Sequence, residues 1–258
     1  MIGAIRDALR METVRMFTVR STYVLLAAAV LVGTLVSLLL ALLLPAGTMG
    51  AEDTTTVLTG GADAAPLSVV GAFVGVLGAV TVSHDYRWGL VRAVLTAVPR
   101  RGALVLARLV LLGMVGAALA TLVTVLAAGS CVAFGRRPDL DGTTLRVIAF
   151  QAGVAVGWAW LGAGLGWLLR HAAGAVGVLL GLPLAVEPVL TLASTLGGVA
   201  SLGPVVPWLP FAAAREALGR GLMPDGDAVG ALPAAGAFAG TVVIVIALAW
   251  VRVTRTDA

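Results

Sequence analysis

Between Thr22 and Leu44 the chain runs without a charged side chain, and five further stretches come close to repeating that pattern. Roughly 20 apolar residues in a helix are enough to cross about 30 Å of hydrocarbon. Such segments therefore read as membrane-spanning helices, and the composition agrees. Of 258 residues, 60% are hydrophobic and 12% charged, with a mean hydropathy of +1.05. A chain of this kind has lipid as its main solvent.

The expected spans are 22–44, 66–83, 103–128, 145–169, 175–196 and 233–251, which makes an all-α polytopic membrane protein of six helices. No polar linker, composition shift or internal repeat divides the chain, so 1–258 reads as a single transmembrane domain. The first apolar run far exceeds the core of a signal peptide and follows a basic lead, so it reads as an uncleaved anchor. In that lead, residues 2–20, Ile2, Ile5, Leu9 and Met16 share one helical face while Arg6 and Arg10 occupy another. That pattern suits a helix lying in the membrane interface, its Arg side chains reaching lipid phosphates. The alternative is a basic flank that only fixes topology.

All 17 basic residues other than His are Arg. With the N-terminus inside, Arg6, Arg10, Arg15, Arg20, Arg87, Arg92, Arg100, Arg101, Arg108, Arg170, Arg252 and Arg255 collect on the cytoplasmic side. Arg136, Arg137, Arg146, Arg215 and Arg220 fall outside, among acidic residues. Both termini are then expected in the cytoplasm. The basic residues are dispersed between spans and form no single patch, which argues against nucleic acid. Without Lys there is no phosphate-binding loop of the GxxxxGK[ST] type. The single Cys131 excludes an intrachain disulfide and a cysteine metal cluster. His84 and His171 sit at span ends outside any HExxH pattern, and no GxSxG elbow occurs. No catalytic or metal-binding residue is assigned.

Two segments stand out as candidates for function. Glu187, followed by Pro188, lies deep in the fifth span, where a carboxyl needs a partner, water or a proton. Pro183 and Pro188 remove intrahelical hydrogen bonds and predict a kink. Glu187 then lines a route or anchors a mobile helix, or else is a packing residue. From Gly197 to Leu232, four prolines beside Trp208 and Phe211 make a connection too apolar to float and too broken to span. A re-entrant outer hairpin capping the bundle fits, with a surface loop as the alternative. The loop 45–65, with Glu52, Asp53, Asp63 and no Arg, reads as a solvated outer connection. Glycines spaced four apart (Gly71 and Gly75, Gly153 and Gly157, Gly162 and Gly166, Gly177 and Gly181, Gly236 and Gly240) support close helix packing. Trp158, Trp160 and Trp167 in the fourth span suit a hydrophobic cargo, or serve as interface anchors or packing residues.

The second segment is the Arg-bearing loop 84–102, within SHDYRWGLVRAVLTAVPRRG. If Asp85 to Val98 is helical, Val91, Val94, Leu95 and Val98 form an apolar stripe, and Asp85, Gly89, Arg92 and Thr96 share another side. Gly89 permits close approach, and Arg87 and Arg92 can pair with carboxylates on a docking surface. A helix held on anionic lipid is the alternative.

The stretches ALRMETVRMFTVRSTYVLLAAA and HDYRWGLVRAVLTAVPRRGALVLARL together resemble the type-2 export-class permeases of ATP-binding-cassette transporters, and the resemblance spans the chain. Those permeases begin with an interfacial elbow helix ending in an Arg-Ser-Thr-like step, matched by Arg20, Ser21 and Thr22. They carry an acidic-aromatic-Arg-x-Gly stretch between spans two and three, matched by Asp85, Tyr86, Arg87 and Gly89, then Arg92, Pro99, Arg100 and Arg101. Many relatives have Glu where this chain has Asp85. The resemblance implies a permease subunit that couples through these residues to a cytoplasmic ATP-binding subunit. It also implies a second permease subunit, identical or different, and the plasma membrane of a bacterial cell. ATP and Mg are expected in the partner and no cofactor in this chain. The translocation path or gate is expected at Glu187, Pro188, Trp208 and Phe211, and the cargo is expected to be an amphipathic compound, peptide or lipid-like molecule moved outward. Two other readings remain: a proton-coupled secondary transporter using Glu187, and a non-transporting membrane scaffold or immunity protein.

Overall fold

The computed structural model describes residues 2–44, 47–89, 101–139, 142–196, 203–219 and 230–256. Among them, six helical segments are long and apolar enough to cross a membrane. Helix α1 (Ile2–Thr18) is followed after a break at Val19 by α2 (Arg20–Leu43). Then come α3 (Ala51–Thr59), α4 (Val69–Arg87), α5 (Arg101–Ala133) and α6 (Gly142–Leu169). Helix α7 (Ala172–Gly181) continues through a π turn, Leu182–Val186, into α8 (Glu187–Thr195). A 3₁₀ turn, Val206–Trp208, leads to α9 (Pro210–Ala217), and α10 (Ala231–Thr256) completes the described chain. The six candidate spans are α2, α4, α5, α6, α7 with α8, and α10.

Helix ends differ from the expected spans where local chemistry overrides hydropathy. Ser68 caps α4 by accepting a hydrogen bond from the Gly71 amide at 3.2 Å, so α4 starts three residues after Pro66. It continues through His84 and Asp85 to Arg87, because the Asp85 carboxylate is buried against neighbouring cations. Helix α5 runs five residues beyond 128 and, at about 1.5 Å per residue, is close to 50 Å long. The fifth span does not simply kink at its prolines. Neither Pro183 nor Pro188 has an amide N–H to donate, and the helix widens into a π turn, Leu182–Val186, that contains Pro183 and ends two residues before Pro188.

The connection after α2 is more ordered than a solvated loop. Thr54, Thr55, Val57, Leu58, Thr59, Ala62 and Asp63 are all buried. Asp63 accepts hydrogen bonds from Thr56 and Thr59 at 2.9 and 3.1 Å, which satisfies a carboxylate that would otherwise be costly to bury. A short parallel pairing joins β1 (Gly47–Thr48) to β2 (Arg136–Arg137). Arg136 donates to the Leu42 and Leu44 carbonyls at 3.2 and 2.6 Å, placing a cation at the C-terminal end of α2.

Helices α4 and α6 are buried at the centre, whereas α2, α7 with α8, and α10 leave most of their apolar surface exposed. Glycine permits the central crossing. A Cβ on Gly162 would collide with the Gly75 carbonyl, and one on Gly75 would lie 3.1 Å from the Trp158 carbonyl oxygen. Trp158 and Trp167 are packing residues at 1% and 5% exposure, and Trp160 donates its indole N–H to the Leu109 carbonyl at 2.8 Å. By contrast, a Cβ on Gly177, Gly181, Gly236 or Gly240 would meet nothing within 4 Å. Replacing Gly162 by Ala is expected to lower stability by about 1–3 kcal/mol through overpacking, while Gly177→Ala leaves it unchanged or slightly raised. Thermal unfolding of the two purified variants in one detergent checks the contrast.

Candidate functional site

At the end of the bundle that carries α1, four charged side chains meet in the interior. Arg108 on α5 is 1% exposed and Glu12 on α1 fully buried. The guanidinium makes a two-point contact with that carboxylate, Nε to Oε2 at 2.9 Å and Nη2 to Oε1 at 2.7 Å. Its Nη1 donates to Asp85 Oδ2 at 2.8 Å. Arg15, one turn after Glu12, donates Nη1 to the same Asp85 oxygen at 3.2 Å, and its Nη2 pairs with Oδ1. Two cations and two anions thus tie α1 to the end of α4 and the beginning of α5. Planar guanidinium groups suit such an arrangement because each can engage two carboxylates at once. Burial, and then the charge of Arg108, pull Arg15 below its ordinary pKa, and Glu12 opposes them.

This cluster sits directly before the loop singled out in the sequence. Asp85 is 6% exposed and directs its carboxylate inward. Tyr86 is half-buried, with the Arg170 guanidinium 5.2 Å from its ring centre. Arg170 adopts φ 56° in the two-residue turn between α6 and α7, where His171 caps α7 by accepting from the Gly174 amide at 3.2 Å. Arg87 and Gly89 are exposed, Arg87 lies 5.5 Å over the Trp88 ring, and Gly89 has φ 64° with open space where a Cβ would be. Arg92, Pro99 and Arg100 lie outside the described residues, as does the segment 90–100 that contains them.

Sequence reasoning did not assign Glu12 and Arg108 to this site. The available signals were an acid three residues before Arg15 in a basic lead, and the lone charge within the run 103–128. An ionisable group inside a span calls for a partner, and here that partner is 96 residues away in sequence.

The opposite end holds the second candidate group. Glu187 is 2% exposed at the junction of the π turn and α8. Its Oε1 accepts the Phe211 amide at 2.9 Å, satisfying one of the orphan donors in the first turn of α9. Its Oε2 has no hydrogen-bond partner among the described residues. Phe211 is buried against Trp158, ring centres 4.5 Å apart, so this contact anchors the segment 203–219 to α6 as well as α8. Pro188 is exposed, as is Trp208 at 49%. The structure brings Glu187 and Phe211 together and leaves Pro188 and Trp208 at the surface. Arg215, one turn after Phe211 on α9, donates weakly to the Pro66 carbonyl at 3.5 Å. Burial pulls its pKa down and Glu187 opposes that shift. The Glu216 carboxyl is pushed up by burial.

Six candidate spans around a tightly crossed central pair, with a buried ion cluster at the α1 end and a buried carboxylate-to-amide contact at the other, define a multi-pass helical membrane protein. No known family's sequence profile matches the chain, and no curated protein matches it. Substituting Arg108 by Met leaves Glu12 and Asp85 buried with reduced compensation and is expected to cost about 3–5 kcal/mol. Arg87→Met, at an exposed position, leaves stability unchanged. Detergent-titrated unfolding of the two variants distinguishes these outcomes.

Proposed function

We propose that this chain is the transmembrane permease subunit of an ATP-driven exporter of the type-2 export class. The observation that carries the reading is the ion cluster at the end of α4. The residues that lead into 90–100 are bound through Asp85 to α1 and α5, so a push on this loop is delivered to three helices together. A lever of this kind is what coupling to a separate motor protein needs. The exposed Arg87 and Gly89 meet a cytoplasmic ATP-binding subunit, together with Arg92, Pro99 and Arg100. Asp85 acts on that contact as a positioning residue, since its carboxylate is engaged inside the bundle.

In this reading α1 is the elbow helix of the inner interface, and the 3₁₀ turn with α9 is a re-entrant hairpin in the outer leaflet. Both termini are cytoplasmic, in the plasma membrane of a bacterial cell. Two permease subunits, identical or related, enclose the path, and ATP with Mg is bound and hydrolysed by the partner. This chain performs no hydrolysis itself. Glu187 joins α8 to the outer hairpin, so tilting of the fifth span shifts the cap over the path. The cargo is an amphipathic compound, peptide or lipid-like molecule moved outward.

A second reading is favoured by the partnerless Oε2 of Glu187, which could carry a proton in a secondary transporter. Glu187→Gln keeps an acceptor for the Phe211 amide while removing the titrating group. Under the exporter reading, transport by reconstituted Glu187→Gln protein is retained; its abolition, with the fold intact, favours proton coupling. The exporter reading itself is tested by co-purification with candidate ATP-binding subunits. Binding is expected to survive in the unmodified chain and to fail when Arg87→Glu and Arg92→Glu are combined. A folded chain that binds no such subunit, yet moves solute down an imposed proton gradient, contradicts it.

A further inference from the structure

Beside the ion cluster, α1, α2 and α4 enclose a cleft of about 380 Å³ that the exporter reading leaves without a role. Its mouth carries Arg15, Ser21, His84 and Trp88, and deeper along α4 its wall is Val80 and Leu77. Those two residues lie four and seven positions before His84, or about 6 and 10 Å down the helix. The cleft is therefore polar at one end and apolar at the other.

The polar end favours an anion. Asp85 engages the two Nη atoms of Arg15, yet a guanidinium has five donors, and the Arg15 side chain keeps 23% of its surface exposed. The His84 ring makes no hydrogen bond among the described residues. Ser21 belongs to the first turn of α2, where the Thr22 amide bonds the Val19 carbonyl at 3.1 Å and the other amides receive no side-chain cap from Val19. Uncapped amides at a helix start carry partial positive charge and attract phosphate. An anion here would also offset the repulsion between Arg15 and Arg108 that lowers the affinity of Arg15 for its proton.

The apolar end favours a lipid over a soluble ion. The cleft lies at the start of one candidate span, α2, and the end of another, α4, and the exposed rings of Tyr23 and Trp88, at 55% and 67%, lie near it, as aromatic side chains do at a membrane interface. We propose that this cleft binds an anionic phospholipid, its phosphate at Arg15, His84 and the first turn of α2 and its acyl chain along Val80 and Leu77. The site pins the break between α1 and α2 to the lipid headgroups.

The test is a native mass-spectrometric titration of the delipidated, full-length protein with phosphatidylglycerol and, separately, phosphatidylcholine. It is repeated on His84→Glu and Val80→Trp, each verified as folded by thermal unfolding. The first variant sets a carboxylate in the mouth; the second fills the apolar wall. Phosphatidylglycerol is expected to bind about tenfold more tightly than phosphatidylcholine, and each variant to reduce that binding by about tenfold, the scale of one or two charge-assisted contacts. Excess inorganic phosphate leaves it unaffected. Equal binding of the two lipids with no effect of either variant would overturn the site. Displacement by inorganic phosphate, with Val80→Trp silent, would overturn the lipid assignment in favour of a soluble phosphate.

Discussion

Three buried charges and one half-buried one at one end of the bundle set the terms for everything around them. Glu12, Arg15, Asp85 and Arg108 come from three different helices, and the buried three give up hydration that the cluster replaces. Ion pairs of this kind contribute little net stability, because desolvation offsets attraction, yet removing a single partner is expensive. Their effect is to exclude alternatives. Helix α1 cannot slide past its neighbours, α4 cannot shift by a turn, and α5 cannot rotate without leaving an uncompensated charge. The three helices are thus held in one register at the point where the chain enters 90–100.

The rest of the bundle divides into a stiff centre and a looser margin. Helices α4 and α6 approach so closely at Gly75 and Gly162 that no side chain fits between their backbones, and interiors packed this tightly transmit displacement. The segment 203–219 is attached differently, through one carboxylate oxygen of Glu187 on the Phe211 amide and through the Phe211 ring on Trp158. Since Glu187 stands where the fifth span widens into a π turn, a change in that turn would alter the anchoring of α9. A motion started beside the ion cluster therefore has a rigid route through α4 and α6 and a compliant element at the far end.

Hydropathy made the six spans legible, because lipid demands long apolar helices whatever their neighbours. Their ends were less so. The cap at Ser68 and the continuation of α4 through Asp85 depend on single hydrogen bonds and on a distant helix. Glycine spacing marked Gly75 and Gly162 no differently from Gly236 and Gly240, since periodicity does not reveal what faces a residue. Glu187 was conspicuous as a carboxyl within a span, but its partner is a backbone amide, which has no sequence signature. Asp85 was conspicuous through its motif, and its engagement with Glu12 and Arg108 was hidden by sequence separation. The helix and buried threonines of 51–63 were masked by a polar composition that also describes a solvated loop.

The central claim is that the Glu12 and Arg108 pair acts as one unit within the cluster. A double-mutant cycle on Glu12→Gln and Arg108→Met, read by detergent-titrated unfolding, measures this directly. The account predicts a coupling energy above about 1.5 kcal/mol, as found for close charge pairs that share partners. Effects that add to within about 0.5 kcal/mol would contradict it and leave α1 joined to the bundle by apolar packing and the Arg15–Asp85 contact.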